Sequence, residues 1–349
     1  MKAMRLYGKH DLKYIDLPVP KCGPGQVLAR TLFCGVCGSD PPRVLDDDVE
    51  VFPVALGHEF SAVIEEVGEG VDSVKPGDLV ACVPLVVCHA CPNCLDGNYG
   101  QCLNSRFIGL NYADIGGFHE YNVLPAINVL KLPEGIDPLA AAFVEPASVA
   151  LHSLLLIGYR PDEDLAIMGL GGIGQLVLQG ARAMGGGRIF AFDMSDERLE
   201  TAKKMGATEC FNTRAADCFE EFRDRTAGLG VPQVIEAVGY EETIRNAISL
   251  AKVNGRVGLI GTMHKPVTLP PELFYFIFSK RQLWIRGVWM SYSKGYPGAP
   301  WRLAARYLAD GRINIKPLLF EVATIEDAYR AISQFGEPGK VKGKIVIKM

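Results

Sequence analysis

The chain has 349 residues, 48% of them apolar and 22% charged, with a formal net charge of −4 and ten cysteines. Its length suggests two domains, its apolar runs fall short of the ~18 to 20 residues that span a bilayer, and an acidic balance without a basic stripe argues against nucleic-acid binding. The amino terminus carries no apolar signal core, so a cytoplasmic location is expected, where thiols bind metal rather than pair as disulfides.

Residues 1–150 read as short strands separated by Gly and Pro, including Gln26 to Phe33, Ala62 to Val67 and Leu79 to Pro84, which predicts a β-rich, barrel-like domain. Within it lie Cys34-Gly-Val-Cys37-Gly-Ser39-Asp40, then Gly57-His58-Glu59, and later Phe143-Val-Glu145-Pro146. A cysteine, a histidine and a carboxylate match the three-ligand logic of catalytic zinc, although singly such residues are more often packing. Cys34 reads as a buried core thiol.

Between these motifs Cys88, Cys91, Cys94 and Cys102 crowd one loop of about 88–102. Two-residue gaps followed by a longer one suit a four-thiolate zinc cage, which is closed to substrate and therefore structural. An iron–sulfur cluster or disulfides are the rivals. The seven residues between Cys94 and Cys102 argue against the ferredoxin spacing, where the last gap is three.

Residues 151–288 change rhythm. A strand from Asp164 runs into Gly169-Leu-Gly171-Gly172-Ile173-Gly174 and a helix from about Gln175 to Met184, the strand–glycine turn–helix that seats a pyrophosphate on a helix N-terminus. The next strand, Arg188 to Asp193, ends in an acid nineteen residues past Gly174, within reach of the adenosine ribose hydroxyls. Asp193 should select NAD over NADP; Arg198, one turn into the following helix, leaves some NADP tolerance, and a capping role for Asp193 is the alternative. Helix Asp196 to Met205, strand Glu209 to Asn212, strand Val234 to Gly239, helix Glu241 to Lys252, strand Gly255 to Gly261 and strand Leu283 to Trp289 complete six strands of a doubly wound sheet. Its carboxyl ends place Val238, Gly261 and Thr262 at the nicotinamide site.

Cys37-Gly-Ser-Asp, Gly57-His-Glu59, the four-cysteine loop, Glu145-Pro and GxGxxG occur in this order over nearly the whole chain. In this the sequence resembles the zinc-dependent medium-chain dehydrogenase/reductase family. The resemblance implies an α/β protein: a β-rich GroES-like catalytic domain at 1–150, a doubly wound Rossmann domain at 151–288, and a return to the catalytic domain at 289–349. It implies two zinc ions, a catalytic one on Cys37, His58 and Glu145 with Glu59 as a movable ligand, and a structural one on the four cysteines. The cofactor would be NAD. The stretches Cys37-Gly-Ser-Asp-Pro-Pro-Arg43, Leu56-Gly-His-Glu-Phe-Ser61, Ala81-Cys-Val-Pro-Leu85, Gly116-Gly-Phe118, Gly261-Thr-Met-His264 and Gly287-Val-Trp-Met-Ser-Tyr-Ser293 are similar to its polyol dehydrogenases.

The implied reaction is hydride transfer from a secondary alcohol of a small polyol or polyol phosphate, with galactitol 1-phosphate as the expected substrate, and zinc polarising the oxygen. An unphosphorylated polyol, a vicinal diol or an amino alcohol is the alternative; a non-catalytic nucleotide-binding member is a further one, against which Cys37 and His58 are both present. Ser39 is placed to take the alcohol proton, the alternative being a loop serine bonded to backbone. Many members carry a relay histidine where this chain has Pro42, so that relay is not expected, and His152 is expected to be structural. Arg43 is the candidate for a substrate phosphate or several hydroxyls, against a surface salt bridge; Phe118, Trp289 and Tyr292 are candidates for the pocket wall, with a core or dimer contact the equal alternative for Trp289. The family implies a homodimer, or a homotetramer, through the strand at Leu283 to Trp289, with no nucleic-acid or membrane partner.

Overall fold

A computed structural model describes all residues except Asp47, Glu50, Ala113, His264 and Pro338, and all side chains but those and Phe276. His264, part of one of the stretches above, therefore lies outside the described residues. The chain divides into two units, one of residues 1–145, 292–311 and 318–349, the other of 146–291 and 312–317. The expected boundary at 150 falls inside a helix, Val144–Leu156. The return segment is also interrupted, because 312–317 belongs to the second unit.

In the first unit the strand Gln26–Gly35 organises the main sheet. It pairs antiparallel with Glu59–Val67, with Tyr121–Pro125 and with the carboxyl-terminal strand Lys344–Lys348. The sheet continues through Leu79–Cys82 to Val129–Lys131 on one side and to Leu319–Thr324 on the other. Alternate positions point inward, so Val27, Phe60, Ile64, Phe118, Ile345 and Ile347 share one core. A two-stranded ribbon, Leu85–Val86 against Arg106–Phe107, closes the base of the four-cysteine loop.

The second unit is a six-stranded parallel sheet in the order Glu209–Asn212, Ile189–Asp193, Leu165–Met168, Val231–Glu236, Ala251–Leu259, Trp284–Gly287. Every residue of Leu165–Met168, Ile189–Asp193 and Val231–Glu236 is buried, as expected of parallel strands covered on both faces. Phe192 stacks on Phe211 at 4.9 Å between ring centroids and meets Phe222 edge-on; burying one such ring stabilises by about 2 to 3 kcal/mol. The sequence order reverses between Leu165–Met168 and Val231–Glu236, the position where a doubly wound sheet opens a ligand crevice.

Several expected bounds differ: the strand expected from Val234 to Gly239 is Val231–Glu236, so Val238 and Gly239 lie in the turn beyond it. The helix from Glu241 ends at Leu250, and Ala251 and Lys252 begin the next strand. Ala251 is paired with Val231 in that sheet, and this pairing overrides the helical pattern. The last strand is Trp284–Gly287 rather than Leu283 to Trp289, because its ladder to Arg256–Leu259 stops at Gly287.

Candidate active site and metal centres

Cys37 lies in the turn after Gln26–Gly35, His58 immediately before Glu59–Val67, and Glu59 is that strand's first residue, opposite Gly35. The pairing of these two strands brings the three together: the Cys37 thiol, a His58 ring nitrogen and a Glu59 carboxylate oxygen all lie within 4.8 Å of one another. Gly35 makes room for this, since a Cβ there would sit 2.4 Å from Glu59 Oε2. The close approach requires glycine.

The surroundings are those of a cation site. His58 is 5% exposed, and its Nδ1 has no hydrogen-bond partner among the described residues. Burial, and then the Glu59 charge, push the Cys37 thiol up to about 11. Glu145 stands beside this group; burial pushes its carboxyl up to about 8, with His58 pulling it down and Glu59 and Cys37 raising it. A buried thiolate and two carboxylates repel one another, so the group favours a cation held between them. The donor set fits zinc, since Cys37, His58 and a carboxylate are three ligands of the kind a catalytic zinc site uses.

Two residues that the sequence did not single out complete the group. Lys344 ion-pairs with Glu59, its side chain 14% exposed. Asp40, fully buried, accepts a 2.8 Å hydrogen bond from the Cys37 backbone N–H. Burial raises the Asp40 carboxyl, and His58 and Arg43 oppose that shift. Asp40 carried a sequence signal, three residues past a candidate ligand. Lys344 carried none, because only sheet pairing brings it near.

Ser39 accepts a 3.1 Å hydrogen bond from Arg43 Nη1, which also reaches Asp40 Oδ1 at 3.4 Å. Arg43 is thus engaged on its own helix, Asp40–Leu45, through one nitrogen. Phe118 corrects an expectation: it is fully buried in the core of the first unit and presents no surface to a ligand there. Tyr292 is also buried, its hydroxyl accepting from the Leu85 N–H at 2.9 Å. Trp289 is 60% exposed. His152 is mostly buried, which lowers it to about 4; it stays neutral, as a structural imidazole would.

The thiols of Cys88, Cys91, Cys94 and Cys102 lie within 4.8 Å of one another, with Cys88 Sγ 3.5 Å from Cys102 Sγ and 3.9 Å from Cys94 Sγ. A tetrahedron of ~2.3 Å zinc–sulfur bonds has edges of about 3.8 Å, so the spacing fits that metal. The backbone N–H groups of Ala90 and Cys91 hold the Cys88 thiol down to about 6. All ten cysteines are free, which removes the disulfide alternative for this loop.

In the second unit Gly169 has φ +93° and leads to the helix Gly172–Ala183, whose N-cap Gly171 offers no side-chain cap. A Cβ at Gly174 would strike the Gly169 carbonyl at 1.9 Å, whereas one at Gly171 or Gly172 would meet nothing within 4 Å. The turn is packed from behind and open in front, with uncapped N–H groups, which fits a pyrophosphate. Asp193 is buried and accepts from the Leu170 N–H at 2.7 Å and the Ser195 N–H at 2.9 Å; Arg198 Nη1 is 3.8 Å from it. The helix cap after this strand is Ser195, whose hydroxyl accepts from the Arg198 N–H, and not Asp193, which instead ties the glycine turn to the end of its own strand. Among the described residues no helix is long and apolar enough to cross a membrane.

This arrangement, a GroES-like unit with a cysteine–histidine–carboxylate group and a parallel-sheet nucleotide unit, is that of a zinc-dependent alcohol dehydrogenase. The alcohol dehydrogenase GroES-like domain model matches residues 23–134 and the zinc-binding dehydrogenase model residues 172–306. The chain belongs to the zinc-dependent medium-chain dehydrogenase/reductase family, near its polyol dehydrogenases, and is an enzyme that uses zinc and a nicotinamide cofactor on a small polyol or alcohol.

It is 37% identical over 320 residues to galactitol 1-phosphate 5-dehydrogenase of Escherichia coli K12, covering 90% of this chain and 91% of that one. It is 30% identical over 341 residues to sorbitol dehydrogenase of Bacillus subtilis, covering 96% and 93%. The crystal structure of galactitol-1-phosphate dehydrogenase from Escherichia coli superposes with a TM-score of 0.94 at 32% identity over 100% of both chains. Of two further solved structures, an alcohol dehydrogenase of Escherichia coli CFT073 complexed with NADH has TM-score 0.90 and 26% identity over 100% of this chain and 99% of that one. A zinc-binding dehydrogenase of Sinorhizobium meliloti bound to NADP has TM-score 0.89 and 29% identity, with the same coverage.

Proposed function

We propose that the protein oxidises the secondary alcohol of a polyol phosphate to a ketose phosphate, with galactitol 1-phosphate to tagatose 6-phosphate as the reaction and NAD as acceptor. The observation that carries this reading is the 37% identity to galactitol 1-phosphate 5-dehydrogenase across 90% of the chain, joined to a Cys37–His58–Glu59 group able to hold a metal. Cys37, His58 and Glu145 would hold the catalytic zinc, with Glu59 as a movable ligand that yields to water, and the four cysteines would hold a second, structural zinc. Zinc bound there polarises the substrate oxygen and makes its hydroxyl acidic, while the nicotinamide accepts the hydride.

The side chains do the remaining work. Ser39, oriented by the hydrogen bond from Arg43, takes the hydroxyl proton and passes its own to water or a ribose hydroxyl, since position 42 is proline. Arg43 has further N–H groups for a substrate phosphate. Gly169, Gly171, Gly172, Ile173 and Gly174 cradle the pyrophosphate, Asp193 with Arg198 takes the adenosine ribose, and Val238, Gly261 and Thr262 face the nicotinamide, with Trp289 at the substrate. The enzyme acts in the cytoplasm as a homodimer, or a tetramer of such dimers. The edge strand Trp284–Gly287, whose Trp284 is 75% exposed, pairs with its copy.

A second reading, an unphosphorylated polyol, rests on the sorbitol dehydrogenase likeness and on Arg43 being engaged by Ser39 and Asp40. Initial rates of NAD⁺ and NADP⁺ reduction with galactitol 1-phosphate, galactitol, sorbitol, xylitol, 2,3-butanediol and threonine, with and without a chelator, separate the two. Preference for the phosphate ester, lost on chelation, supports the first reading; preference for a free polyol sinks it and leaves the zinc chemistry in place.

A further inference from the structure

The second unit contains a buried carboxylate that neither metal site nor cofactor cradle uses. Glu236 ends the strand Val231–Glu236 and is fully buried. Its Oε1 accepts three hydrogen bonds, from the Val238 N–H at 2.9 Å, the Gly239 N–H at 2.8 Å and the Thr243 hydroxyl at 2.8 Å. Its backbone carbonyl accepts two more, from the Ile260 N–H at 2.8 Å and the Gly261 N–H at 3.2 Å. One residue therefore gathers the turns that follow two neighbouring strands, Val231–Glu236 and Ala251–Leu259.

Those turns are packed backbone against backbone. A Cβ on Gly239, at φ +92°, would meet the Thr262 carbonyl at 2.2 Å, and one on Gly261 would meet the Gly239 nitrogen at 2.1 Å. On the other side Val238 Cγ2 fills the space over Gly169, where a Cβ would lie 2.2 Å away. A shift of Val238–Gly239 by a few tenths of an ångström would thus disturb Gly261–Thr262, packed against it backbone to backbone, whereas the phosphate turn meets Val238 chiefly through the Cγ2 of its side chain. A buried acceptor with three donors holds a turn this tightly because removing it leaves two backbone N–H groups unpaired in the interior.

We propose that Glu236 is the positioning residue of the nicotinamide site: its carboxylate fixes Val238–Gly239, and through them Gly261–Thr262, so that these walls are set before the ring arrives. This rests on the reading of Val238, Gly261 and Thr262 as nicotinamide walls. Preorganised walls bind the ring without an ordering cost on binding, so the loss on disturbing them falls on the nicotinamide half of the cofactor. The adenosine half, held by the glycine turn and Asp193, is spared if the rearrangement stays at the two distal turns.

The test compares NADH with ADP-ribose, which lacks the nicotinamide, in the zinc-loaded full-length enzyme, with melting temperature as the check on folding. Glu236→Leu, which removes the acceptor, is expected to weaken NADH roughly tenfold or more and to change ADP-ribose affinity less than about twofold. Glu236→Gln, which keeps one acceptor oxygen, is expected to recover most of the NADH affinity. Thr243→Val removes one of the three donors and serves if Glu236→Leu does not fold; a loss of roughly threefold for NADH with ADP-ribose unchanged is expected. Equal losses for both ligands, or no loss of NADH affinity in a folded variant, overturn the proposal. A wild-type enzyme that binds ADP-ribose and discriminates it from neither NADH nor NADPH overturns the underlying wall assignment, and the proposal with it.

Discussion

Lys344 sets its ammonium against the Glu59 carboxylate, joining the first residue of Lys344–Lys348 to the first residue of Glu59–Val67 across the intervening strand Gln26–Gly35. Burial pulls the Lys344 ammonium down, but the Glu59 charge and Cys37 more than offset it, leaving it raised. Removing one member of such a buried pair leaves an uncompensated charge, at a cost of about 3 to 5 kcal/mol. Lys344→Met should therefore lower the melting temperature by several degrees, with a larger drop in chelator-treated enzyme than in zinc-loaded enzyme. The double variant Lys344→Met/Glu59→Gln should recover more than half of the loss; a double variant no better than the single one would contradict the pairing.

A second buried group gives a pH dependence. His119 is 1% exposed, neither ring nitrogen has a hydrogen-bond partner among the described residues, and burial, then Arg5, lower it from 6.5 to about 4. Its folded value is below its unfolded one, so the unfolded chain binds more protons between pH 6.5 and 4. The stability due to its neutral form is present above pH 6.5 and declines as pH falls, by roughly 2 kcal/mol at pH 5. His119→Leu should flatten the acid side of the unfolding profile between pH 6.5 and 4.5 and leave the melting temperature at pH 8 nearly unchanged. An unaltered acid slope would rule this histidine out as its source.

The four-cysteine loop offers a stoichiometric readout. Cys102→Ser should lower bound zinc from two ions per chain to one, measured by elemental analysis after dialysis. On the proposed reading of this loop as a second zinc site, the metal supplies its folding free energy. Proteolysis within 88–102 should therefore accelerate before the rest of the chain is cut. Retention of two ions would remove Cys102 from the ligand set.

Asp193 ties down the glycine turn, and one substitution separates that task from its proposed selection of the cofactor. Asp193→Asn keeps an acceptor for the Leu170 N–H but discards the negative charge that would repel a 2′-phosphate. The ratio of kcat/KM for NADP⁺ to that for NAD⁺ should rise roughly tenfold, about 1.4 kcal/mol. An unchanged ratio would assign cofactor choice to other residues.

Arg43 gives the sharpest test of the substrate. Arg43→Ala should raise KM for a phosphorylated polyol roughly tenfold more than for the corresponding free polyol if a guanidinium–phosphate pair is lost. Equal increases would mean that Arg43 acts only through Ser39 and Asp40.

Much of the site was legible because its chemistry is carried by short motifs. Cys37, His58 and the four cysteines keep their spacing whatever the fold, and GxGxxG encodes its own turn. The remainder depends on strand pairing. Lys344 lacks any local pattern and reaches Glu59 only because its strand is inserted beside Gln26–Gly35. Phe118 is a pocket candidate through the family-like stretch Gly116-Gly-Phe118, but its backbone bonds to Met4 and Leu56 set it in the core. Glu236 looks like one polar residue ending a buried strand; its side chain bonds the turn and helix that follow it, and the two bonds its carbonyl accepts from Ile260 and Gly261 form only once the neighbouring strand is paired beside it.

The interleaving of the two units bears on how the chain folds during synthesis. Nearly all of the nucleotide unit, 146–291, emerges from the ribosome in one piece and needs only 312–317 to be complete. The metal-holding unit is begun first and finished last, because Lys344–Lys348 lies between Gln26–Gly35 and Leu319–Thr324 in its sheet. Until that final strand is made, the Phe33–Gly35 end of Gln26–Gly35 lacks its partner on that side and Glu59 lacks its counter-charge. The nascent chain therefore passes through a stage in which a nearly finished nucleotide fold trails a half-sheet with an open edge, the form most exposed to aggregation and to chaperones.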